Sequence, residues 1–353
     1  MVFDRSAITI EKVRYHDLKD LEKIFTKEFS DEVSAEIIQQ RVHRVRQFYY
    51  ILFPLSRFSH WVNNLFNIYI VRVSGSVAGF IQISYLTAQQ LHLDFIAISK
   101  KFRGQGLGTF VLKALFEQVV DKNHFDVLLE VRTDNPARLL YERLGFISQA
   151  QVLHYERTFE HDLQIDLGEP SANVNFEPVR DSDRAALYRL YRASIPRRLQ
   201  RVVKREFREF NPSLFIRNLT WLKNQLMRIE TQEFIIRQDN RVVASMEIKS
   251  YPKAKVHILS MIIHPKWESL RKGLVTEALN RLSRKYQQGK VTTTIYDDAV
   301  VKQQVLEEMG FIKQESYYLM LRPTSHPPKR TLRPIKELYF QLQGTTRREK
   351  RRF

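Results

Sequence analysis

The sequence predicts an α/β protein (α+β mixed sheet) built as two tandem copies of one fold, and two observations carry that prediction. Apolar runs at strand spacing alternate with apolar residues at helical spacing along most of the chain. A set of landmarks also returns at a fixed interval. Val13-Arg14 returns as Val179-Arg180, Val71-Arg72 as Ile236-Arg237, His92 as His257, Ile98 as Ile263, and Gly145-Phe146-Ile147 as Gly310-Phe311-Ile312. The interval is 166 residues for the first pair and 165 for the others, which marks a duplicated fold. The joint falls at Leu167-Gly168-Glu169-Pro170-Ser171, a run of turn-forming residues. This gives an N-terminal unit of 1–166, a C-terminal unit of 172–324 and a basic tail of 325–353. The chain has 353 residues, 43% of them hydrophobic, enough for a core in each unit.

In chain order, Ala7 to Val13 reads as a strand and Asp17 to Phe29 as an amphipathic helix carrying Leu18, Leu21 and Ile24. A second helix begins near Ser34, runs through Ile37, Ile38, Val42 and Val45, and is ended or bent at Pro54. The aromatic stretch Phe53 to Phe66 reads either as a wall of a substrate entrance or as packing against another unit. Tyr69 to Val73 and Val77 to Leu86 form a hairpin about Ser74-Gly75-Ser76. The apolar run ending in Ile96-Ala97-Ile98 is a buried strand, and Phe110, Val111, Leu112, Leu115 and Phe116 make the helix after it. Asp126 to Val131 is a further strand. A helix starts at Asn135-Pro136 and closes at Gly145, before one or two final strands from Phe146 to Phe159.

Between strand and helix lies Lys100-Lys101-Phe102-Arg103-Gly104-Gln105-Gly106-Leu107-Gly108-Thr109. A strand, a glycine loop and a helix N-terminus aim backbone N–H groups at one spot, which suits phosphate. No Gly-Lys-Ser/Thr follows, and the spacing is not Gly-x-Gly-x-x-Gly, so neither a Walker loop nor a dinucleotide fingerprint is present. In the second copy the same place reads Trp267-Glu268-Ser269-Leu270-Arg271-Lys272-Gly273. One glycine remains, and Glu268 brings negative charge, so this copy is read as degenerate.

Arg103-Gly104-Gln105-Gly106-Leu107-Gly108 resembles the pyrophosphate-binding segment of the GNAT acyl-CoA N-acetyltransferase superfamily, Gln/Arg-x-x-Gly-x-Gly/Ala. The resemblance implies, in each copy, a central mixed and mainly antiparallel sheet flanked by helices. It also implies acetyl-CoA as co-substrate, with Arg103, Gly104, Gln105, Gly106, Leu107, Gly108 and Thr109 at its pyrophosphate. Ile96, Ala97 and Ile98 would line its pantetheine arm. The stretch from Leu128 through Asn135 and Tyr141 to Phe146 looks much like the second motif of the protein-N-terminal-alanine acetyltransferase branch. Carried over, Tyr141 is the acid that protonates the leaving thiolate, and Asn135 touches the cofactor. Here Asn135 lies six residues before Tyr141 instead of seven, and Asp134 holds the seventh position, so either residue could take that role. The base is left open among His92, Asp94, Glu130 and a water chain. His92 and Asp94 share a strand face, and imidazole titrates near neutral pH.

The remaining composition narrows the function classes. With no cysteine there is no disulfide, thiol nucleophile or cysteine metal site. No histidine spacing suggests a metal, and no nucleophile elbow is present. The N-terminus does not read as a signal peptide, and no run approaches the ~20 apolar residues of a membrane span. A cytoplasmic enzyme with no membrane contact is expected. The acceptor is an amine on a small molecule or on a protein or peptide. The net charge of +18 leaves a rival reading, a non-catalytic CoA-sensing or polyanion-binding protein. In that reading Arg197, Arg198, Arg201, Lys204, Arg205, Arg208 and the basic tail grip the polyanion.

Overall fold

The computed structural model describes residues 7–28, 35–160, 175–200 and 202–324. The joint at 167–171, the start of the second helix near Ser34, and the tail 325–353 lie outside the described residues, as does the side chain of Trp61. Among the described residues twelve strands form one sheet. They are β1 (Ile8–Lys12), β2 (Ile68–Val73), β3 (Ser76–Thr87), β4 (Gln90–Ile98), β5 (Asp126–Arg132) and β6 (Ile147–Glu160), then β7 (Glu177–Pro178), β8 (Glu230–Gln238), β9 (Arg241–Tyr251), β10 (Val256–Ile263), β11 (Gln288–Tyr296) and β12 (Ile312–Arg322). The helices are α1 (Leu18–Glu28), α2 (Ala35–Gln47), α3 (Tyr49–Leu55), α4 (His60–Asn63), α5 (Leu107–Leu115) and α6 (Ala137–Arg143), then α7 (Arg184–Ser194), α8 (Phe207–Phe210), α9 (Leu214–Met227), α10 (Leu270–Lys285) and α11 (Val300–Glu308).

The strand order is β1-β2-β3-β4-β5-β12-β6-β11-β10-β9-β8-β7. Only β4–β5 and β10–β11 are parallel, so the sheet is mixed and mainly antiparallel. The two sheets expected from the duplication are therefore continuous, and their last strands are exchanged. β12, from the second half, pairs with β5 of the first, from Tyr317↔Arg132 to Arg322↔Val127. β6, from the first half, pairs with β11 of the second, from Gln288↔Glu160 to Tyr296↔Val152. β6 and β12 then pair with each other across the centre.

The duplication reaches individual contacts. Asp17 accepts from the Arg14 N–H at 2.8 Å and pairs with Arg72. Asp183 accepts from the Arg180 N–H at 2.9 Å and pairs with Arg237. Both aspartates are buried, where a carboxylate persists only if hydrogen-bonded and paired.

Each face of the first half has its own apolar cluster. Alternate residues of β3, β4 and β5 (Ile81, Leu93, Leu129) meet Leu107, Val111 and Leu112 of α5. The other face of β2 and β3 (Ile70, Phe80) meets Leu18 and Leu21 of α1 and Val42 and Val45 of α2. The aromatic stretch resolves toward packing: Phe53 and Phe66 meet edge to face at 5.5 Å, and Phe66 is buried. Met227 of α9, from the second half, belongs to the same cluster. Among the described residues no helix is long and apolar enough to cross a membrane.

Candidate active site

β4 and β5 pair only from Gln90↔Asp126 to Leu93↔Leu129. β4 continues to Ile98 and β5 to Arg132. Past Leu93 the strands part, so that among the described residues the β4–β5 pairing does not extend along Asp94 to Ile98. On the other side Gln82 faces Phe95 and Ile83 faces Leu93, so Asp94 is the extra residue of a β-bulge. The bulge resets the alternation. Ile96 and Ile98 pack beneath α5, while Phe95 and Ala97 face the α1–α2 side.

The loop after β4 is open. Gly104 and Gly106 have φ of +74° and +81°, a region where other residues are strained. A Cβ at either would meet nothing within 4 Å, so the concave face is clear. Gly106 caps α5, and among the described residues no backbone carbonyl accepts from the N–H groups of Gly104, Gln105 or Gly106. Two side chains brace the turn: Arg103 Nε donates to the Ile98 carbonyl at 2.8 Å, and Gln105 Nε2 to the Lys101 carbonyl at 2.9 Å. Arg103 thus ties the loop to its strand in addition to lending charge. A diphosphate fits this loop, because the donors are present and no side chain fills the space.

The three candidate bases share the face of the sheet opposite α5. His92 Nδ1 lies 2.7 Å from Asp94 Oδ1, and the Ser84 hydroxyl donates to Asp94 Oδ2 at 2.5 Å. Burial works against a charge on His92. The hydrogen bond His92 donates to Asp94 and the charges of Asp94 and Glu130 outweigh it, and the imidazole pKa is raised above its ordinary value. Glu130 is exposed on β5, and its neighbours in sequence, Leu129 and Val131, point the other way into the core.

Tyr141 sits across the sheet from these groups, in the cluster under α5. Its ring meets Phe146 at 5.8 Å. Burial pushes its hydroxyl up to about 12, and among the described residues no hydrogen-bond partner holds that hydroxyl. The structure therefore brings His92, Asp94 and Glu130 together and sets Tyr141 apart, with the gap between β4 and β5 as the passage between them. Asn135 is exposed, and its side-chain oxygen accepts from the Ala137 N–H at 2.9 Å, capping the start of α6. Asp134 is exposed and pairs with Arg132 at 2.9 Å.

A cavity of about 470 Å³ opens on the Asp94 side, lined from both halves. Gln40, Arg41, Ser84 and Asp94 come from the first half, and Lys223 and Lys249 from the second. Residues 202–205 lie over the first half's strands: Gln90 Nε2 donates to the Val202 carbonyl at 2.7 Å, and Lys204 pairs with Asp126 at 3.2 Å. Sequence reasoning missed Ser84, although the repeat held a clue: Ser84 stands opposite His92 as Ser250 stands opposite His257. Nothing in the spacing marks Lys223 or Lys249.

Much of the basic run is paired with carboxylates. Arg198 pairs with Asp298 at 2.8 Å, Arg205 with Glu209 at 3.1 Å and Arg208 with Glu206 at 2.6 Å, beside the Lys204 pair already described. Arg201 lies outside the described residues.

Residues 19–146 match the acetyltransferase (GNAT) family model. The N-terminal half is a GNAT acetyltransferase domain. The match spans both the glycine loop and the Tyr141 helix, and with the relative described next it supports acyltransferase activity of GNAT type. N-alpha-acetyltransferase 30 of Schizosaccharomyces pombe is 25% identical over 149 residues, covering 42% of this chain and 89% of that protein. A GCN5-related N-acetyltransferase from Sphaerobacter thermophilus superposes with a TM-score of 0.63 at 16% identity, over 95% of this chain and 100% of its own. A tandem GNAT protein from the clavulanic acid biosynthesis pathway gives 0.61 at 10% identity, over 91% and 100%. At such identities these two structures speak to fold alone, and their span shows that the GNAT architecture extends through both halves.

Proposed function

We propose that the N-terminal half transfers the acetyl group of acetyl-CoA to a primary amine, which reaches the gap between β4 and β5 from the cavity between the halves. The observation that carries this reading is the open glycine loop beside the parted strands. The N–H groups from Gly104 to Thr109 would hold the pyrophosphate, and the unpaired edge at Ile96-Ala97-Ile98 would hold the pantetheine arm, as GNAT resemblance implies. Acetyl-CoA supplies the activated acyl group when bound, and the chain's own residues move the protons. His92, oriented by Asp94, takes the proton of the incoming ammonium, with Glu130 as the neighbouring alternative. Tyr141 keeps its proton because burial holds its pKa high, and gives it to the departing thiolate. The second half serves as a support that closes the acceptor side. The fission-yeast relative's name makes a peptide N-terminus one candidate acceptor, and a small amine is the other. The cytoplasm, where acetyl-CoA is available, is the compartment assigned.

Thermal melting with and without acetyl-CoA tests the reading, because a ligand of the folded state raises the melting temperature with concentration. The wild type is expected to shift at millimolar acetyl-CoA. Gly106→Glu should abolish the shift, and Gly273→Glu should retain it, with circular dichroism confirming that both variants fold. A wild type without any shift would overturn the assignment.

A further inference from the structure

The cavity between the halves holds more positive charge than its surroundings balance. Arg41, Lys204, Arg205, Lys223 and Lys249 line it, against Asp94 and Glu209. Both carboxylates are engaged, Asp94 with His92 and Ser84, and Glu209 with Arg205 and the Glu206 N–H. Lys204 and Lys249 reach Asp126 at 3.2 Å and Glu247 at 3.4 Å. Arg41 and Lys223 have no carboxylate among the described residues. Lys223 is half-buried on α9. Burial, then the charges of Lys249 and Arg41, pull its ammonium down to about 8. A bound anion would oppose both by favouring the charged ammonium.

A second observation points into the same space. Gln40, adjacent to Arg41 on α2, lines the cavity, and its side-chain nitrogen and oxygen are both buried without a hydrogen-bond partner among the described residues. Buried amides are almost always satisfied, and a ligand is one way to satisfy this one. The volume of about 470 Å³ lies within the ~300–1,000 Å³ of small-molecule sites. The covering residues 202–205 favour a compact ligand over a trailing peptide.

We propose that the acceptor is a small amine carrying an anionic group, a carboxylate or a phosphate, which Lys223 and Arg41 grip while the amine points toward His92 and Asp94. Gln40 supplies a neutral hydrogen bond to the body of the molecule. The proposal rests on the acetyltransferase reading of the N-terminal half, and makes the second half the source of acceptor selectivity.

The test is CoA release measured over matched acceptors. These are an amino acid against its amide, a phosphorylated amino sugar against the unphosphorylated sugar, and an acidic against a neutral peptide. The anionic small amine of at least one pair is expected to exceed its neutral partner about tenfold or more in kcat/KM, mainly through KM, as a charge-assisted contact warrants. The pair that responds distinguishes carboxylate from phosphate. Lys223→Met should bring that ratio close to one, and Lys223→Arg should keep most of it. Equal use of both partners, an undiminished ratio in Lys223→Met, or a preference for the peptides would overturn the proposal. If no acceptor turns over, melting in the presence of CoA gives the answer with the same amines and with inorganic phosphate. Anionic probes should stabilise the wild type and not Lys223→Met; no stabilisation by any of them would overturn the proposal. The acetyl-CoA shift measured in parallel separates a failure at the cavity from a failure at the glycine loop.

Discussion

The same turn occurs twice in this molecule, open in one half and filled in the other. β10 and β11 pair only from Val256↔Lys290 to Ile258↔Thr292 and then part, as β4 and β5 do. After β4 the chain turns through Gly104 and Gly106 into clear space. After β10 it turns through Trp267 and Glu268, and Arg271 in the first turn of α10 folds back to Glu268 at 2.5 Å. Arg271 is buried, and Lys302 adds a second cation at 3.9 Å from Glu268. Strand divergence is a property of the fold that both copies keep. The left-handed glycines with clear space beside them are properties of a few residues, Gly104 and Gly106, and the second copy has Trp267, Glu268 and Arg271 in that stretch. The two histidines teach the same lesson. His92 is partly exposed, with Asp94 beside it. His257 is buried, bonds through Nδ1 to the Ser250 hydroxyl at 2.9 Å, and lies between the rings of Phe159 and Tyr286. Burial, only partly countered by the charge of Glu230, pulls its pKa down to about 4. One sheet position thus has its titration moved in opposite directions.

The contrast is broken most severely at Tyr141, whose counterpart is the buried Leu306. Tyr141→Phe should lower kcat by roughly 10²–10⁴-fold, the usual worth of an acid in this role, with little change in KM for acetyl-CoA. Leu306→Met, which nearly conserves volume, should leave turnover intact. Steady-state kinetics decides, and an unchanged kcat in Tyr141→Phe would remove that hydroxyl from the chemistry.

A smaller effect is expected at Asp94, where the second copy has Leu259. The carboxylate raises the pKa of His92, and a base works only once deprotonated. Asp94→Asn should therefore move the acidic limb of the kcat/KM profile to lower pH and reduce the plateau about tenfold. A limb that stays in place would assign the base to another group.

The smallest change is expected at His257, and it concerns stability. The unfolded chain protonates this histidine near its ordinary value of 6.5, the folded chain only near 4. The unfolded state therefore binds more protons between those values. The contribution is complete above about pH 6.5 and declines as the pH falls toward 4, by at most about 1.4 kcal/mol per pH unit. His257→Gln should flatten this decline without altering acetyl transfer; denaturant melts at pH 7 and pH 5 compare the slopes.

Much of this site could be read from the chain before any coordinates. The glycine loop, the strand before it and the Tyr141 helix are local in sequence, and local patterns record local geometry. The recurrence from Val13-Arg14 to Gly310-Phe311 gave the duplication for a similar reason, since turns and cores demand particular residues at particular spacings. The course of β12 between β5 and β6 was not legible, because an apolar strand's alternation names a face but not a neighbour. The basic run around Arg198 and Arg205 misled because its carboxylate partners include Asp126 and Asp298, which are remote in sequence. Nothing in the local sequence sets Lys223 and Lys249 apart from other charged positions. Their shared cavity exists only once α9 settles against α2.

The crossing of β6 and β12 bears on why a copy without a working loop persists. Deleting residues 172–324 would strip one partner from β5 and two from β6, exposing long backbone edges that invite self-association. The N-terminal half would lose its seam along with its companion. If that half transfers acetyl groups as proposed, selection for the transfer protects the C-terminal half as well, and each inherits its continued existence from the other.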